Sequence, residues 1–83
     1  MASMYFDLFG GAQLNEGAIV ATFGLTKREF AVAHFIASGL SPKQTAAKIG
    51  RSVYTVRTQL KTLFSKTDTH RQNELVALLL RVN

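Results

Sequence analysis

Apolar positions along this chain recur at three- and four-residue steps. Leu25, Val32, Ala33 and Ile36 form one such series with Glu29, and Val56, Leu60, Leu63 and Thr67 form another. At about 100° per residue each series gathers on one side of a helix. Local chemistry punctuates the pattern. Thr26 and Glu29 have capping-box spacing, in which each side chain satisfies the other's backbone N–H, so a helix is expected from Lys27 to about Ser38, closed by Gly39. Ser41-Pro42 is a second start, because serine is a favoured N-cap and proline loses no hydrogen bond in the first helical turn. It predicts a short helix from Pro42 to Ile49 that stops at Gly50. Arg51 bridges and Ser52 caps the next helix, Val53 to Lys66 or Thr67. Two helices joined by three residues, one of them glycine, make a helix-turn-helix.

Two further helices flank this unit. Leu14 to Phe23 is expected to be helical, to end at Gly24 and to cover Phe30 and Phe35, which lie off the main apolar stripe. Thr69 and Gln72 again have capping-box spacing ahead of a leucine-rich helix from Arg71 to Arg81. Met1 to Ala12 shows no sustained period and is read as an arm. The fold class is therefore all-α, a small helical bundle with a central helix-turn-helix. It divides into 1–23, an arm and short helix, and 24–83, the helix-turn-helix domain.

With 83 residues the chain has room for a single core. It has no cysteine, which excludes disulfides and thiolate metal sites; His34 has no acidic residue or second histidine one turn away, and His70 is read as a helix-entry residue. No cofactor is expected. Apolar runs fall well short of the roughly 20 residues that cross a bilayer, and no signal pattern opens the chain, so a cytoplasmic protein without membrane contact is expected. Paired carboxylates, a phosphate loop and a Ser-His-Asp order are all missing, Glu29 is explained by its cap, and an enzyme or a small-molecule site is not expected. The aromatics Tyr5, Phe6, Phe9, Phe23, Phe30, Phe35 and Phe64 lie in helices or the arm, so core and partner contacts are preferred to stacking on single strands.

Charge changes the picture more. The net charge is +5, and between Phe30 and Thr67 there is no acidic residue, while Lys43, Lys48, Arg51, Arg57, Lys61 and Lys66 all fall within that stretch. Opposite the apolar stripe of the Val53 helix lie Tyr54, Arg57, Thr58, Lys61 and Ser65, with Thr55 and Thr62 close by. Arg57 and Lys61, four residues apart, repel each other unless a polyanion faces them. The major groove of DNA admits one helix and offers guanine O6 and N7 to Arg or Lys. The helix N-terminus, with the Ser52 and Thr55 hydroxyls, suits phosphate, and Lys43, Gln44, Lys48 and Arg51 are placed to hold the DNA backbone beside it.

Leu25-Thr26-x-Arg28-Glu29, Gly39-Leu40-Ser41, Ala46, Gly50, Ser52, Thr55-Val56-Arg57 and Lys66 together resemble the LuxR-type (GerE-like) helix-turn-helix domain over about Gly24 to Val82. The resemblance implies four helices, the third reading the major groove with Arg57, Thr58 and Lys61 at base-facing positions, and Ser52, Thr55 and Gln59 at positions similar to backbone-contacting ones. It also implies a dimer contact through the last helix, here assigned to Asn73, Val76 and Leu80, with Leu75, Leu78, Leu79 and Val82 turned to the core. Arg51 and Thr45 stand where the family usually has aliphatic residues, and Gln59 where it often has His. The expected function is sequence-specific binding of double-stranded DNA as a bacterial transcription regulator, through helix 53–67 and as a weak homodimer. The alternative is a protein-interaction module that pairs with a full-length regulator and modulates it without binding DNA.

Overall fold

Capping chemistry sets the helix boundaries. The computed structural model describes residues 14–82, which form five helices: α1 (Glu16–Phe23), α2 (Lys27–Ala37), α3 (Pro42–Ile49), α4 (Val53–Thr67) and α5 (Gln72–Val82). The expected arm Met1 to Ala12 lies outside the described residues. Asn15 opens α1 by accepting the Ala18 N–H at 3.0 Å, so the helix starts two residues later than the apolar pattern suggests. Thr26 and Glu29 form the full box at α2, as do Ser41 and Gln44 at α3, and Ser52 caps α4. Gly24 and Gly50 close α1 and α3 in the left-handed region at φ 67° and 69°, where a side chain would be strained. The same task after α4 falls to Asp68, at φ 55°, a residue type that tolerates this conformation better than most.

The start of α5 differs from the expectation. Thr69 does not cap it: its hydroxyl is buried and bonded to the Thr67 hydroxyl at 2.8 Å. The Glu74 carboxylate instead accepts the N–H groups of His70 and Arg71 at 3.0 and 3.2 Å, and the helix begins at Gln72. These bonds hold the Glu74 carboxyl below its ordinary pKa.

Helix α2 is the hub, packing against all four other helices, and α4 lies mainly across α2 and α3. Ile19 from α1, Val32 from α2, Val56 and Leu63 from α4, and Leu75 and Leu79 from α5 are essentially inaccessible and form one core. The short helix α1 thus supplies a fully buried side chain, and Phe30 and Phe35 of α2 are half-buried. On α5 the division is less sharp than expected. Leu75 and Leu79 are buried, whereas Leu78 and Val82 are only half-buried, and Val76 also packs in part against the core.

Candidate nucleic-acid interface

The stripe of Val56, Leu60, Leu63 and Thr67 is buried, and this fixes the rotation of α4. The opposite side consequently faces solvent: Tyr54, Arg57, Thr58 and Lys61 are exposed there, with Thr62 half-buried beside them. Among the described residues neither Arg57 nor Lys61 makes a hydrogen bond or an ion pair. Thr58 differs from them. Its hydroxyl donates to the Tyr54 carbonyl at 3.1 Å, so the proton it has to offer is already committed to the helix.

The residues expected along a DNA backbone fall into three groups. Lys43, Lys48 and Arg51 are exposed and, among the described residues, without an ionic partner. Gln44, Ser52 and Thr55 are engaged in caps: the Gln44 carbonyl oxygen accepts the Ser41 N–H at 2.9 Å, and Ser52 Oγ accepts the Thr55 N–H at 3.1 Å while lying 3.0 Å from its hydroxyl. They orient the helix starts, leaving the Gln44 amide N–H groups as its outward donors. Gln59 forms the third group. It is half-buried, and its side-chain oxygen is buried without a hydrogen-bond partner among the described residues.

Around Gln59 the structure adds a residue that sequence reasoning passed over. A groove of about 120 Å³ is lined by Arg28, Ala31, Ile49, Arg51 and Gln59, so the first turn of α2 brings Arg28 to the same recess as two residues expected at DNA. A signal for it existed. Lys27 and Arg28 place two cations in the first turn of a helix, where the dipole favours anions, and such a placement asks for an external negative charge. Arg51, at a position where aliphatic residues are usual, fits the same recess as a second cation. Thr45, the other departure, is fully buried as an aliphatic residue would be, with its hydroxyl left without a partner among the described residues.

Lys66 does not belong to this cationic surface. Its ammonium lies 2.7 Å from Glu29 Oε1 and donates to the Gly24 carbonyl at 2.9 Å, tying the far end of α4 to the α1–α2 junction. Glu29 therefore does more than cap. Burial alone raises its pKa, but the bonds from Lys66 and from the Thr26 N–H outweigh it and leave the carboxyl below its ordinary value.

Of the residues assigned to a twin subunit, Asn73 is exposed, Leu80 is 47% exposed and Val76 half-buried. They line an open groove with Ile36, Ala37 and Ala77, between the C-terminal end of α2 and one side of α5. No helix among the described residues is long and apolar enough to cross a membrane. No curated protein and no solved structure gives a significant match to the chain. The family of bacterial regulatory proteins, luxR family, matches residues 24–79, which span α2, α3, α4 and most of α5. On that match the chain belongs to the luxR family of bacterial regulatory proteins.

Proposed function

We infer that this chain binds double-stranded DNA in a sequence-specific manner as a cytoplasmic transcription regulator, inserting α4 into the major groove. The observation that carries the reading is the cationic face of α4, where Arg57 and Lys61 stand exposed with no acidic neighbour among the described residues. An isolated pair of like charges one turn apart is unfavourable on a helix, and phosphates and guanine edges reverse that balance. Arg57 and Lys61 take base edges, and Thr58 meets the groove beside them. Lys43, Lys48 and the α4 N-terminus, oriented by Ser52 and Thr55, take phosphates. Arg51 and Gln59 do the same with Arg28 as their neighbour, and Gln44 contributes its amide. Pairing of two chains through Asn73, Val76 and Leu80 provides two-fold symmetry for a paired site and is weak without DNA, because so few side chains bury little area.

The test is the affinity of the chain for duplexes enriched from a random-sequence pool, measured across a salt series. A log-log slope reflecting several released counterions, with one motif enriched, is the expected result. Absence of both overturns the reading and favours a module that acts by pairing with another regulator.

A further inference from the structure

Tyr54 is 78% exposed, in a molecule whose other large apolar side chains are mostly buried or half-buried among the described residues. A tyrosine ring so open to water contributes little to this fold, and it makes no ring contact with another side chain among the described residues. Its position is specific. Tyr54 precedes Arg57 by three residues, Thr58 by four and Lys61 by seven, so all four share the face that the buried stripe turns outward. From Tyr54 to Lys61 the helix rises about 10 Å, roughly the rise of three stacked base pairs. Within that span Arg57 and Lys61 suit guanine, whereas Thr58 has already given its hydroxyl proton to the Tyr54 carbonyl. The exposed Tyr54 ring thus offers an apolar surface inside a cationic face. In the major groove the one apolar group on a base edge is the C5-methyl of thymine.

We propose that Tyr54 is a specificity-determining residue that packs its ring against a thymine methyl beside the guanine contacts of Arg57 and Lys61. This rests on the DNA-binding reading above and adds to it a preference for a thymine next to guanine in each half-site. The phenol oxygen has no part in it. The competing role for so exposed a tyrosine is a hydrogen bond from its hydroxyl to phosphate, which is indifferent to sequence.

Deoxyuridine lacks the methyl and is otherwise the same base, so the two roles separate cleanly. A duplex enriched by the wild-type chain is compared with versions carrying deoxyuridine at one thymine at a time, for wild type, Tyr54→Phe and Tyr54→Ala. One substitution is expected to weaken wild type and Tyr54→Phe by about fourfold, the worth of one buried methyl. Tyr54→Ala is expected to bind the thymine duplex more weakly and to show no difference between the two bases. Unchanged melting curves verify that each variant is folded, as the exposure of the side chain implies. Tyr54→Ala that keeps the full thymine preference overturns the proposal, and so does Tyr54→Phe that loses as much affinity as Tyr54→Ala. If wild type enriches no duplex, the DNA-binding reading itself falls, which is distinct from a chain that binds DNA while Tyr54 is irrelevant to the base.

Discussion

The C-terminal end of α4 and its outward face solve opposite problems with the same kinds of side chain. At the C-terminal end Lys66 is held by Glu29 and the Gly24 carbonyl, and the buried Thr67 hydroxyl donates to the Leu63 carbonyl at 2.7 Å and meets Thr69 at 2.8 Å. On the outward face Arg57 and Lys61 have no such partners among the described residues, and the buried side-chain oxygens of Thr45 on α3 and Gln59 on α4 have no hydrogen bonds there either. The end is internally satisfied and the face is left wanting. The difference shows which charges belong to the fold. A cation whose anion comes from the same chain is a strut, and a group of cations with none is addressed to something outside.

The largest effect expected on the anchored end comes from Glu29→Ala, which removes half of a capping box and the partner of Lys66 together. Thermal melting is expected to show a loss of about 2 kcal/mol, mostly from the cap, since the partly exposed ion pair is worth less. Duplex affinity of the folded fraction should be unaltered, and a loss of DNA binding without a loss of stability would erase the distinction between the anchored end and the outward face.

A matched pair of threonines sharpens it. Thr67→Val leaves the buried Thr69 hydroxyl without its partner and is expected to cost about 1 kcal/mol, whereas Thr45→Val removes a buried hydroxyl that has no partner and is expected to gain about 1 kcal/mol. Chemical denaturation of both variants checks the sign.

The smallest effect is on acid sensitivity. Because the folded-state pKa of Glu29 is lowered, its contribution is complete above its ordinary value of 4.5 and is lost as the pH falls through the lower folded value. Glu29→Gln should flatten that part of the acid unfolding curve. An identical acid profile for Glu29→Gln would show that the pair with Lys66 holds nothing.

The same contrast explains what could be read from the sequence. Boundaries set by local chemistry were legible: the box at Thr26, the Ser41-Pro42 start and the Ser52 cap sit in the chain as visible signals, and α2, α3 and α4 begin where those signals put them. The rotation of α4, and with it the exposure of Arg57 and Lys61, followed from periodicity alone. Partners distant in the chain were not legible. Lys66 looked like one more cation of the acid-free stretch because Glu29 lies 37 residues away and was fully accounted for by its cap. Thr69 failed as a cap for a local reason: Glu74 reaches the same N–H groups while the Thr69 hydroxyl is drawn inward by Thr67. Arg28 was hidden because only the packing of α2 against α4 brings it to the Gln59 recess.

The claim that the unpartnered face of α4 reads DNA is tested most directly by Arg57→Ala, measured on an enriched duplex and on its scrambled counterpart together with thermal melting. The expected result is a loss of about 1 to 3 kcal/mol on the enriched duplex, little change on the scrambled one and an unaltered melting temperature. Equal losses on both duplexes would make Arg57 a backbone contact. No loss on either would contradict the placement of α4 in the groove.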